Sequence, residues 1–184
     1  AHAGTTPMDI RRDAALAAAE TALAVERLAR ENAGVGTTGS IALGPNIPTA
    51  VAGVAELAVD LRHRDATQLE RMFWATLDSA RSVAEARSCV LEEELIWRIE
   101  PVPFDAGLVA IVTEEARAAG GRAEPLTSGA LHDAAAVAGR VPAAMVFCPS
   151  IAGLSHAAEE DTSEADLATA IETFGRIVDR LAAR

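Results

Sequence analysis

Apolar and polar positions recur along the 184-residue chain with two periods, one helical and one strand-like. Ala15, Ala18, Ala22, Val25 and Ala29 follow one another at spacings of three and four, the seam of an amphipathic helix. Upstream of that seam, Thr6 suits an N-cap, Pro7 the first helical position and Asp9 the closing residue of a capping box. The helix is predicted to start there and to end at Asn32 and Gly34. Strands are predicted over residues 37–43 and 54–64, separated by Gly44-Pro45-Asn46-Ile47-Pro48. In the second, Leu57, Val59 and Leu61 take one face while Glu56, Asp60 and Arg62 take the other. A second helix starts at Asp65, with Gln68 as capping partner, and runs to about Arg87. Its apolar face is Leu69, Met72, Phe73, Thr76, Ala80 and Val83. A further strand is predicted over 89–99, with Leu91, Leu95, Trp97 and Ile99 on one face.

The order helix, strand, strand, helix, strand is that of a split βαββαβ, ferredoxin-like unit without its first strand. That strand is expected to precede Ala1, which makes the chain the expected C-terminal part of a longer protein. Two prolines in Pro101-Val102-Pro103 interrupt any central strand and mark a boundary, giving expected domains at 1–100 and 101–184. Beyond it the pattern predicts a helix over 105–119, a strand over 122–126, a short helix over 131–139 and a strand over 143–148. A last helix over 164–183 is capped by Ser163 and Asp166. Alternating helices and strands imply an α/β layer belonging to a larger sheet. The fold class is therefore α/β: an α+β first domain, then part of an α/β domain.

Composition narrows the partners. The chain is 50% hydrophobic and 23% charged with a net charge of -11, so it can bury a core and is not disordered. The acidic balance argues against nucleic acid or an anionic membrane as partner, since either needs a basic patch. The apolar runs are short and broken by Glu, Asp or Arg, which rules out a transmembrane helix. Every basic residue is Arg, and neither Lys nor Tyr occurs; this reads as genomic bias. Cys89 and Cys148 sit in apolar, strand-like settings and imply no disulfide framework, so the expected compartment is the cytoplasm. No basic-then-apolar leader opens the sequence.

Chemistry is concentrated around four histidines, at positions 2, 63, 132 and 156. His156 lies in a glycine-containing loop, Pro149 to His156, that leaves an apolar strand, where α/β folds place ligands. A neutral imidazole there suits a metal, with Glu160 near enough to orient it from behind; a surface histidine capping the last helix is the plainer alternative. No HxxxH, HxD or CxxC spacing supplies further ligands. His132 stands in Ser128-Gly129-Ala130-Leu131-His132-Asp133-Ala134, a turn of small residues that lets backbone N–H groups approach a substrate, or else merely the first turn of a helix. His2 either donates to a developing oxyanion or is a loose terminal residue. Arg62 ends a strand on its polar face, where its planar fork either grips a substrate carboxylate or pairs with Asp60 or Glu56. His63, on the side of Leu61 and Val59, reads as packing.

Four ordered motifs then carry a specific likeness. They are His2-Ala3-Gly4-Thr5-Thr6-Pro7-Met8 with Arg12-Asp13-Ala14; Val59-Asp60-Leu61-Arg62; Ser128-Gly129-Ala130 with His132-Asp133-Ala134; and Met145-Val146-Phe147 through Pro149-Ser150 and Gly153 to Ser155-His156 and Glu160. Over essentially its whole length the chain resembles the zinc-dependent amidase/hydantoinase/carbamoylase family of the aminoacylase-like metallopeptidase superfamily. That family includes N-carbamoyl-L-amino-acid hydrolases and allantoate amidohydrolases.

The resemblance implies a metal-dependent amidohydrolase acting on a linear amide or ureido bond of an amino-acid-like substrate. It implies a catalytic domain carrying two divalent ions, zinc or manganese, and an inserted lid that also makes a homodimer. By motif match, residues 1–100 are most of the lid and 101–184 the C-terminal part of the catalytic domain. His156 corresponds to the last metal ligand, with Glu160 behind it. His2 matches a lid histidine that holds substrate and stabilises the oxyanion, and Arg62 matches the arginine that grips the carboxylate. Gly129 and His132 fall in the substrate-contacting turn. The family's substrate-touching Asn falls at Thr49 here, and the second Gly of its Gly-Ala-Gly-His-Asp-Ala turn is Leu131. The other ligands and the catalytic Glu lie N-terminal to position 1 in this family, so the 184 residues alone are expected to associate without hydrolysing anything. The alternative is a non-catalytic lid or dimerisation module of a degenerate member.

Overall fold

Asp13, not Thr6, opens the first long helix. Its carboxylate accepts the Ala15 N–H at 3.1 Å, and α1 runs Ala14–Glu31. Thr6-Pro7 leads only into a single 3-10 turn at Met8–Ile10, because the Thr6 hydroxyl is spent on the His2 carbonyl, 2.7 Å away. The structure is a computed structural model that describes residues 1–183; Arg184, the last residue of the expected second domain, lies outside them. The chain divides into two compact units, the first Ala1–Pro101 and the second beginning at Val102.

In the first unit, β1 (Val35–Gly44) and β2 (Val54–Arg62) pair antiparallel, Val35 opposite Arg62 and Gly44 opposite Val54, with an irregularity between Thr38 and Ser40. Helix α2 (Ala66–Ala86) follows, capped by Asp65, whose carboxylate accepts the Gln68 N–H at 3.0 Å. The helices pack on the sheet through Ala18, Val25, Leu28 and Ala29 of α1 and Met72, Thr76, Ala80 and Ala84 of α2, all buried. An ion pair between Arg87 and Glu20 ties the end of α2 to α1, and the Arg87 guanidinium holds the Glu20 carboxyl below its ordinary range.

Gly36 shows how closely helix and strand approach. A Cβ there would lie 2.9 Å from the Ala29 Cβ and 3.1 Å from the main-chain oxygen of Val25. Gly36→Ala is therefore expected to destabilise the unit by about 1–3 kcal/mol through overpacking. A lower urea midpoint with unchanged slope checks this; an unshifted midpoint would show that α1 moves away at no cost.

The segment 89–99 forms no strand. Val90, Leu95, Ile96 and Trp97 are all exposed. The reason is topological: in a split βαββαβ sheet the last strand pairs only with the first, and no such strand is among the described residues. Within it, Glu93 takes two hydrogen bonds from Arg81 of α2.

The second unit holds α3 (Ala106–Ala118), α4 (Asp133–Ala138) and α5 (Glu164–Ala182). Asp105 caps α3 through the Leu108 N–H, and Ser163 caps α5 through the Asp166 N–H while donating to the Asp166 carboxylate. Ile111 of α3 and Thr173 and Ile177 of α5 are buried where the two helices meet. Glu115 accepts from Arg180 and Arg176 at 2.8 and 3.0 Å, and these guanidiniums hold its carboxyl below the usual carboxylate range. The strands predicted over 122–126 and 143–148 are not formed, again for want of a neighbour among the described residues. Cys89 and Cys148 are both free thiols, and no helix among the described residues is long and apolar enough to cross a membrane.

Candidate functional site

The first unit brings His2 and Thr49 side by side. His2 forms an antiparallel bridge with Ala50, the Ala3 N–H donates to the Thr49 carbonyl at 2.8 Å, and the Val51 N–H donates to the Ala1 carbonyl at 2.8 Å. Residues 1–3 are thus held against 49–51 by an isolated bridge, and Val51 and Ala52 are themselves buried. The His2 and Thr49 side chains remain exposed. Beyond the bridge the chain turns back on the His2 carbonyl, which accepts from the Thr6 N–H at 3.2 Å and the Thr6 hydroxyl at 2.7 Å.

Arg62 lies at the end of β2 in the same unit. Its Nε donates to Asp60 Oδ1 at 2.7 Å and its Nη2 to Oδ2 at 3.1 Å, the two-pronged geometry in which guanidinium binds any carboxylate. The pairing follows from the strand period, since residues two apart share a face. Hydrogen bonding to Asp60 raises the Arg62 pKa above its ordinary value, so the fork is a permanent cation. His63 is half-buried, and its Nδ1 accepts the Asp65 N–H at 2.9 Å; it shapes the turn into α2, beyond the packing role expected of it.

In the second unit His132 precedes α4 without capping it through its side chain. Its Nε2 lies 2.6 Å from the Ser128 hydroxyl oxygen, and its ring meets Phe147 edge-on at 5.7 Å. Ser128 also accepts the Ala130 N–H at 3.1 Å, so the turn closes around Gly129, where a Cβ would meet nothing within 4 Å. His156 is exposed and adopts φ +58°, a left-handed conformation that is costly for a residue with a Cβ. Glu160 reaches it through the main chain, accepting the His156 N–H at 2.7 Å, where the sequence suggested contact with the ring. The loop closes behind through Ile151 N–H to the Asp161 carbonyl at 2.8 Å. Among the described residues no three His, Cys, Asp or Glu side chains converge on one point, so His156 offers a single imidazole and not a complete metal centre.

Sequence reasoning gave no role to Arg11 and quoted Gly4 and Ser128 only as parts of motifs. Arg11 Nη2 donates to the carbonyls of Ala3 and Thr6 at 2.7 and 2.8 Å, and the Gly4 N–H donates to His2 Nδ1 at 3.1 Å. A Gly two residues after a His was the one local signal available.

Residues 8–180 match Peptidase family M20/M25/M40, and the chain belongs to that family. It is 35% identical over 183 residues to the allantoate amidohydrolase of Escherichia coli, covering 98% of this chain and 44% of that protein. It is 36% identical over 165 residues to the N-carbamoyl-L-amino-acid amidohydrolase of Rhizobium meliloti, covering 89% and 40%. The crystal structure of a hydantoinase/carbamoylase family amidase from Burkholderia multivorans superposes with a TM-score of 0.90 at 35% identity, over 98% of this chain and 44% of that one. The chain thus spans less than half the length of the proteins it matches.

Proposed function

We propose that these residues belong to a metal-dependent amidohydrolase that cleaves a linear amide or ureido (N-carbamoyl) bond of a carboxylate-bearing, amino-acid-like substrate. The observation that carries the reading is the His2 segment laid against Thr49–Ala50 in the same unit as Arg62, a fork already shaped to a carboxylate. Residues 1–100 act as the lid and 101–184 as part of the catalytic domain. Arg62 binds the substrate carboxylate, exchanging Asp60 for the ligand. Thr49 and the Gly129–His132 turn shape the pocket, and His2 donates to the carbonyl oxygen as negative charge develops there. His156 supplies one imidazole to a zinc or manganese site, one or both of two divalent ions, whose other ligands lie outside the described residues. Metal bound there supplies the activated water. Glu160 holds the His156 main chain so that the imidazole is delivered in one place. With His156 the one ligand assigned among the described residues, residues 1–184 alone are not expected to turn over.

The lid is also the proposed homodimer contact. Among the described residues β1 pairs with β2 alone, and Leu23 of α1 and Val35 and Ile41 of β1 are exposed. The cytoplasm, where free cysteines such as Cys89 and Cys148 persist, is the compartment this reading implies.

Arg62→Lys in the complete protein keeps the charge and loses the fork. The expected loss is about 1.5–3 kcal/mol in transition-state binding for a substrate with a free carboxylate. The matching substrate amide is expected to be slowed far less. Equal slowing of acid and amide would make Arg62 a structural residue paired with Asp60 and remove the carboxylate reading.

A further inference from the structure

We propose that Gly4 and Arg11 are positioning residues for His2, holding its imidazole in the Nε2–H form so that Nε2 is the ring's hydrogen-bond donor. The proposal rests on the reading that His2 donates to the oxyanion, and says how that donor is made.

Three observations carry it. The first is the bond itself. A backbone N–H can only donate, and that of Gly4 lies 3.1 Å from His2 Nδ1. Nδ1 must therefore present its lone pair, and a neutral ring then carries its single proton on Nε2. The opposite tautomer would set two hydrogens against each other. The second is room. A Cβ on Gly4 would stand 3.3 Å from His2 Cε1, so with any other residue the ring would have to give by a few tenths of an ångström from the place where the N–H holds it. The third is the span that contains Gly4. One nitrogen of Arg11 joins the carbonyls of Ala3 and Thr6, the residues bracketing Gly4 and Thr5, while the Ala3 N–H is fixed to Thr49 on the other side. Arg11 is half-buried, reaching back from the turn before α1. It fixes the loop that aims the Gly4 N–H, acting through these two carbonyls.

The chemistry asks for this form. An oxyanion needs a donor aimed at it before the reaction begins, and a ring free to exchange tautomers presents a lone pair part of the time. A turn kept only for stability would not need its amide directed at an imidazole nitrogen.

The test is ring-nitrogen NMR on the complete protein labelled at histidine, with His2 assigned by its loss in His2→Ala, alongside steady-state kinetics on an N-carbamoyl-L-amino acid. The wild-type His2 ring is expected to show a protonated Nε2 and a bare Nδ1. Gly4→Ala and Arg11→Ala are expected to shift it toward a tautomer mixture and to lower kcat by up to about 10²-fold with KM little changed, the scale of a misplaced catalytic group. Arg11→Lys, which can still reach one carbonyl, is expected to recover part of both. Two variants on different elements guard against one that fails to fold. A wild-type ring protonated at Nδ1 would overturn the proposal while leaving the oxyanion role of His2 intact. Variants that leave both tautomer and kcat unmoved would overturn it as well. If His2→Ala itself leaves kcat unchanged, the oxyanion reading fails and the positioning role falls with it.

Discussion

His156→Ala in the complete protein is expected to lower bound zinc or manganese and to reduce turnover by more than about 10²-fold, since loss of a mere outer contact to a metal ligand already costs 10–100-fold. The residue sits where its loop is most constrained. Its backbone is left-handed at φ +58°, its N–H is held by Glu160, and the loop is closed by the Ile151–Asp161 hydrogen bond. Strain of this kind persists only where the surroundings enforce it. Raising the pH is not expected to rescue the variant, because a missing ligand is not a protonated one. Glu160→Gln, whose amide oxygen can still accept the His156 N–H, is expected to do much less harm. Metal analysis beside turnover decides the matter; unchanged stoichiometry and rate would remove His156 from the metal site.

His2→Ala is the second large effect. Removing one oxyanion donor costs about 10²–10³ in kcat. Because the interaction strengthens only as charge develops, the expected loss is in kcat, with KM nearly unchanged. The backbone bridge to Ala50 uses main-chain groups, so it survives the substitution and the lid is expected to keep its melting temperature. A variant that raises KM and spares kcat would make His2 a ground-state contact.

What the sequence made legible, and what it hid, follows from the range of each interaction. Asp65 and Ser163 were readable as caps because each accepts an N–H three residues on, inside one turn; Asp105 does the same but was read as the first residue of its helix. Asp13 escaped because it accepts two residues on, from Ala15, while the more familiar Thr6-Pro7 pattern stood just ahead of it. The β1–β2 pairing was readable from alternation and the short connection. The segments 89–99, 122–126 and 143–148 have strand composition, yet a strand exists only with a neighbour, and none lies beside them among the described residues.

The candidate site divides in the same way. The residue types at 2, 62, 132 and 156 were visible as motifs. The Asp60–Arg62 pair followed from the strand period and was weighed as an alternative. The His2–Ala50 bridge and the Arg11 clamp were hidden, because they join residues with no periodic relation. The contact between Glu160 and the His156 main chain was hidden for another reason: it requires the left-handed turn at His156, which a residue with a Cβ gives no cause to expect.

The most direct test is ammonia release from N-carbamoyl-L-amino acids and allantoate by the complete protein, measured metal-loaded, after chelation, and after zinc or manganese is restored. The account predicts release from at least one of these substrates, lost on chelation and recovered with metal. Metal-loaded, folded protein that releases ammonia from none of them would contradict it and leave the lid as a non-catalytic module.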